Sequence, residues 1–277
     1  MAKLMERRYI CKNGVTERTR FLVGDNTAER PRWRKAKSGT DKREENARAA
    51  VRQFARVLNC NADPTWWFVK LDFSPKQHEK IFAGMDQDEI LRETERQGSL
   101  FLRRLKRYAK GFELKCAYTP SDMDEETGEL VRPHLHVVIS GVPEEAVRKS
   151  WKLGECTHME HLYKQKDYTP LAAYMVGQVR SIPNLRKYVT TQNMEKPKIE
   201  DRVVTGDPTD EIRVQPGAKI LDRTPYREDC RSQYVRYIPK RREQKRGGHK
   251  TMAAATPEDE VVGTTQNGVK GAAKNEI

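Results

Sequence analysis

A chain of 277 residues has room for one large domain or one and a half, and 53 lysines and arginines against 40 acidic residues leave it at +13. Such an excess favours a polyanionic partner, most often nucleic acid, over the plainer alternative of a basic solvated surface. Cys11, Cys60, Cys116, Cys156 and Cys230 are scattered with no C-x-x-C pair, which excludes a patterned disulfide framework. No apolar run approaches the ~20 residues that span a bilayer, and Met-Ala-Lys-Leu-Met-Glu-Arg-Arg lacks a signal-peptide core. The expected compartment is the cytoplasm.

Residues 1–40 read as a basic N-terminal arm with short strands around Tyr9–Cys11 and Phe21–Val23. Trp33 stands in the cationic run Arg30–Lys37, which suits either an arm that grips phosphates and stacks on a base or a solvated linker. Helical spacing of Ala47, Ala50, Val51, Phe54, Ala55 and Leu58 predicts a helix over 41–58, with Asp41 as N-cap. Trp66–Phe73 is nearly continuous in apolar and aromatic residues and predicts a strand inside a sheet. A short helix over Ser74–Ala83 and a longer one from Asp86 follow. Ile90, Thr94, Gln97, Phe101, Leu102, Leu105 and Tyr108 mark the inner face of the longer helix, and Gly111 closes it.

Phe112–Tyr118 predicts a second strand, and Thr119–Leu130 an acidic hairpin turn before a strand at 132–140. Pro143 opens a helix to Lys152, Cys156–Tyr163 predicts a fourth strand, and Thr169-Pro170 reads as N-cap and first residue of another helix. Leu185–Thr191 returns as a strand. The order β-α-β-β-α-β-α-β predicts an α+β fold with a mainly antiparallel central sheet flanked by helices. Residues 41–200 form this domain, and 201–245 an extension packing on it, with a last strand at Tyr234–Ile238 taken as an edge. Lys240–Lys250 is a basic run, and 246–277 is expected to be a disordered tail.

The chemistry concentrates in Pro133-His134-Leu135-His136-Val137-Val138 and in Tyr174 and Gln178. Alternate strand residues face one way, so His134 and His136 can share one metal ion. Tyr174 and Gln178, four apart on a helix, also share a face. A divalent ion beside a phenol is equipment for attack on a phosphodiester. Tyr163, Tyr168 and Tyr188 compete as nucleophiles. Cys156, His158 and Glu160 would share a strand face and could bind zinc, or could simply be an exposed polar side. Arg132, Arg180, Arg186, Lys187 and Lys196 are candidate phosphate contacts, and Lys198 could join them.

Pro133–Val138 resembles the His-hydrophobic-His signature of HUH endonucleases, which include rolling-circle replication initiators, relaxases and single-strand transposases. Trp67–Phe73 is similar to that family's first strand motif, Leu171–Gln178 to its nucleophile helix, and Arg186–Pro197 to a segment that follows the helix in phage and plasmid replication proteins. The resemblance covers roughly 41–197. It implies a ferredoxin/RRM-like sheet, His134 and His136 as ligands of Mg²⁺ or Mn²⁺, and Tyr174 as the nucleophile. Gln178 resembles the third ligand of the transposase-like branch. Many replication initiators carry Lys there or use a Glu elsewhere, which leaves Asp72, Glu126 and Glu129 as substitutes.

The implied activity is nicking of single-stranded or hairpin origin DNA, leaving a 5′-phosphotyrosine and a free 3′-OH in a bacterial host cell. Host helicase and polymerase are further expected partners. A relaxase usually carries a third histidine and a nucleophile near its N-terminus, and neither is present. A non-catalytic nucleic-acid-binding module with structural histidines is the rival from another class.

Overall fold

Period-two alternation sets the sheet that carries the candidate residues. In β3 (Trp67–Phe73), Val69, Leu71 and Phe73 are buried on one face while Phe68, Lys70 and Asp72 point to the other. β5 (Leu130–Ile139) pairs antiparallel with β3, placing Lys70 opposite His136 and Asp72 opposite His134. Leu135, Val137 and Ile139 join the core beneath, built with α3 (Gln87–Tyr108) and α4 (Glu144–Ser150). His134, His136 and Val138 face the opposite layer, made by α1 (Gly39–Asn61) and α5 (Thr169–Gly177). Both faces of β5 are covered from Pro133 to Ile139, which accounts for the consecutive Val137-Val138-Ile139.

The computed structural model describes residues 2–24, 39–124 and 127–240, and for 39–44 the backbone course alone. The described residues fall in one compact unit. Trp33 and its cationic run, Glu126, all of the Lys240–Lys250 run beyond Lys240, and the tail lie outside them.

The fold is α+β, with two antiparallel five-stranded sheets and five helices among the described residues. One sheet has the order β6-β3-β5-β4-β7, with β4 (Cys116–Met123), β6 (Gly154–His161) and the two-residue β7 (Val189–Thr190). Its β3-helix-β4-β5-helix-β6 portion is the split β-α-β pattern of ferredoxin-like sheets. α2 (Pro75–Phe82) is capped by Ser74, and α3 by an Asp86–Glu89 capping box. No helix among the described residues is long and apolar enough to cross a membrane.

The second sheet was not foreseen. β1 (Lys3–Ile10), β2 (Thr16–Val23), β8 (Lys198–Val203), β9 (Lys219–Arg227) and β10 (Ser232–Ile238) pair in the order β8-β1-β2-β10-β9. Residues set apart as an arm and an extension are joined in this sheet, and β10 is interior rather than an edge. The charges that make these strands read as solvated are paired instead. Glu6 is 2% exposed and accepts from Arg18, Arg20 and Arg202, while fully buried Glu17 accepts from Arg56 of α1. Burial pushes the Glu6 carboxyl up, but Arg18 and Arg202 outweigh it and hold it below its usual range. Leaving a buried carboxylate unpaired costs about 3–5 kcal/mol, so the arginines are obligatory to this packing.

Several boundaries also move. α1 starts at Gly39, so Asp41 lies inside its first turn rather than capping it. β4 runs through Met123 into the expected acidic turn, because Thr119 and Ser121 pair with His136 and His134. Tyr108 is 45% exposed at the end of α3 rather than on its inner face. Pro143 precedes α4 as its N-cap, and α5 begins at Thr169. Tyr168 is the N-cap of α5, and the Asp167 carboxylate before it accepts from the Thr169 amide at 3.0 Å and its hydroxyl at 2.6 Å.

Candidate active site

The residues predicted as metal donors and nucleophile meet in one cleft. His134, His136, Tyr174 and Gln178 line a space of about 410 Å³ together with Lys70, Asp72, Arg132 and His158. His134 and His136 are each 2% exposed, Gln178 is 6% exposed, and Tyr174 is half-buried. The Nε2 atoms of the two histidines are 3.0 Å apart, and Oε1 of Gln178 is 2.7 Å from Nε2 of His136. Phe68 stacks on the His136 imidazole with centroids 5.7 Å apart, and the Tyr174 ring meets it edge-on at 5.2 Å.

Protonation follows from the partners. The Arg132 carbonyl, 3.1 Å from Nδ1 of His134, can only accept, so Nδ1 carries the proton and Nε2 presents a lone pair. Burial lowers the pKa of His134, and burial with the neighbouring His134 lowers that of His136 to about 3. Both imidazoles are therefore neutral at ordinary pH. Nδ1 of His136 and Oγ1 of Thr119, on directly paired residues of β5 and β4, are buried with no partner. Oε1 of Gln178 can likewise only accept, so Nε2 of His136 carries the proton and donates to it; a cation at that nitrogen would need the proton moved to Nδ1, where Thr119 is the cross-strand neighbour.

Two imidazole nitrogens and an amide oxygen separated by 2.7 and 3.0 Å fit a divalent cation. Ligands at about 2.1 Å subtending a right angle are about 3.0 Å apart. No three His, Cys, Asp or Glu side chains form a metal-sized group among the described residues, and the third polar atom beside the two imidazoles is the Gln178 amide oxygen. Of the substitutes, Asp72 lines the cleft but accepts from Thr157 at 2.6 Å and lies 3.5 Å from Lys70 Nζ, while Glu129 is exposed and does not line it.

Gln178 follows the last turn of α5, and cations expected on DNA fix that region. Arg180 grips Asp122, which is 1% exposed, with Nε and Nη2 and reaches Asp88 with Nη1. Lys187 donates to the Val179 carbonyl, and burial lowers its pKa. Ser121 Oγ donates to the Gln178 carbonyl at 2.9 Å. Arg180 and Lys187 thus hold the segment beside Gln178. Arg186 and Lys196 are exposed and outside the cleft lining, and Arg132 is exposed within it.

The competing tyrosines do not line the cleft: Tyr168 is 2% exposed in the core, Tyr188 stacks on Phe54 at 4.6 Å, and Tyr163 is 79% exposed. The Cys156–His158–Glu160 face is broken by a bulge. The β3–β6 register shifts between Phe68 and Lys70, and His158 takes φ +46°. Cys156 packs on the core side while His158 lines the cleft, so they do not form a zinc set. Sequence reading missed Lys70, although its alternation with Phe68 and Asp72 was the available signal. The bulge that turns His158 has no comparable signature.

Comparisons with protein-family models, curated proteins and solved structures give no match.

Proposed function

We propose that this chain is a metal-dependent endonuclease of HUH type that nicks single-stranded or hairpin DNA through Tyr174 and initiates rolling-circle replication. The observation that carries this reading is the convergence of His134 Nε2, His136 Nε2 and Gln178 Oε1 beside the Tyr174 ring. His134, His136 and Gln178 would hold Mg²⁺ or Mn²⁺, which supplies Lewis acidity toward a phosphoryl oxygen when bound. Two neutral imidazoles and an amide add no negative charge to the cation they hold. Arg132 fixes the His134 tautomer through its carbonyl, and Phe68 holds the His136 ring in plane.

Tyr174 attacks phosphorus with its phenolic oxygen. The new bond joins that oxygen to the 5′-phosphate, the bond to the 3′ oxygen breaks, and the 3′ oxygen leaves with the electron pair and takes a proton from solvent. The phenolic proton passes to solvent. An unperturbed tyrosine ionises near pH 10, so cationic surroundings favour attack. The covalent link conserves the phosphodiester for rejoining, and the 3′-OH can prime synthesis. The net charge of +13 supports a nucleic-acid substrate.

The test is incubation with labelled circular single-stranded DNA and Mn²⁺ or Mg²⁺, resolved on a denaturing gel, with Tyr174→Phe alongside. A metal-dependent covalent adduct absent from the variant is expected. An adduct that persists moves the nucleophile elsewhere. Binding without cleavage on any single-stranded or supercoiled substrate favours the non-catalytic module.

A further inference from the structure

β3 contributes a wall of the cleft, and Lys70 stands on it directly across from His136. Its side chain is about one-third exposed (32%), and its ammonium lies 3.5 Å from Asp72 Oδ1. An ammonium has three donors, and one long contact to a half-exposed carboxylate leaves capacity for a ligand. The other lysine or arginine of the lining, Arg132, is exposed near the start of β5, whereas Lys70 shares a cross-strand position with a candidate donor. Gly154 at the start of β6 lets that strand approach β3 closely, because a Cβ there would lie 1.9 Å from the Asp72 carbonyl oxygen. That approach brings Thr157 to Asp72, fixing the carboxylate beside Lys70.

We infer that Lys70 is a catalytic residue that binds a non-bridging oxygen of the phosphodiester seated in this cleft. A phosphodiester within reach of Tyr174 and of the donors on His134, His136 and Gln178 presents one non-bridging oxygen to those donors and the other toward β3. As the phenolic oxygen bonds to phosphorus, negative charge grows on both oxygens, and a fixed cation there stabilises the transition state more than the ground state. The assignment to a reacting phosphate rests on the nuclease reading; the phosphate contact itself does not.

The experiment measures binding of fluorescein-labelled (dT)20 in EDTA across a salt series, for the parent chain, Lys70→Met, Lys70→Arg, Asp72→Asn and the control Lys76→Gln, at an exposed lysine outside the cleft lining. Lys70→Met is expected to weaken binding about tenfold at low salt and to flatten the log K against log salt slope by about 0.7. Lys70→Arg should keep the slope, Lys76→Gln should change the slope less than Lys70→Met does, and Asp72→Asn should strengthen binding. In single-turnover cleavage with mapped substrate, Lys70→Met should be about a hundredfold slower at unchanged Mn²⁺ affinity. An unaltered slope in folded Lys70→Met, or no gain in Asp72→Asn, overturns the inference. A slope that responds while no substrate is cleaved defeats the nuclease reading and leaves the phosphate contact standing. Cleavage at full rate in Lys70→Met defeats the catalytic role alone.

Discussion

Oε1 of Gln178 lies 2.7 Å from Nε2 of His136, across 42 residues of chain. The contact joins the end of α5 to the middle of β5, and each side is held independently. Ser121 binds the Gln178 carbonyl, Arg180 and Lys187 brace the residues after it, and Phe68 stacks on His136. Gln178→Ala should therefore leave the fold in place and lower Mn²⁺ affinity by about tenfold or more. Gln178→Glu should raise that affinity, since a carboxylate is the harder and charged donor. A Mn²⁺ titration followed by electron paramagnetic resonance reads both. Equal affinity in all three proteins would remove Gln178 from the donor set.

The depressed pKa of His136 links the site to stability. A folded-state pKa near 3 against an ordinary 6.5 means the unfolded chain binds the proton first. The resulting stabilisation is complete above about pH 6.5 and is lost as pH falls toward 3, at about 1.4 kcal/mol per pH unit. Burial depresses His134 in the same direction. Urea unfolding in EDTA at pH 7, 6 and 5 should show this loss, and His136→Gln should flatten the profile. Parallel profiles for parent and variant would contradict it. Glu6, held below its usual range, adds acid sensitivity below about pH 4.5 in both proteins, so the difference between them isolates His136.

Gly154 is where the backbone of one strand makes room for another. The Asp72 carbonyl oxygen would lie 1.9 Å, and the Ser74 nitrogen 2.6 Å, from an added Cβ, and backbone cannot rotate away. Gly154→Ala should cost more than about 3 kcal/mol, at the upper end of overpacking penalties. It should also displace Thr157 from Asp72 and His158 from the cleft. A denaturant midpoint close to the parent's would show that β6 can shift without loss.

Much of the first sheet was legible. Strands β3 and β5 announce themselves by apolar content and alternation, and α3 by the helical spacing of its inner face after Asp86. The shared face of His134 and His136 follows from the strand period, and that of Tyr174 and Gln178 from the helix period. All four line one cleft, which the packing of α5 over β5 decides. The roles of Arg180 and Lys187 were not legible, because a charged side chain reads the same whether it faces solvent or a buried Asp122 or a carbonyl.

The sequence by itself determined the local periods, and with them which side chains share a face of β3, β5 and α5. Those are properties of backbone geometry, felt within a few residues. Only the tertiary structure decided what each face meets. It joined residues 3–23 to residues 198–238 in a second sheet, where Arg202 of β8 donates to the buried Glu6 of β1. It turned His158 into the cleft through a bulge, and it brought Lys70 opposite His136 by strand register. Pairing and ion-pair formation depend on partners distant in sequence, so the local pattern leaves them open and the packed fold fixes them.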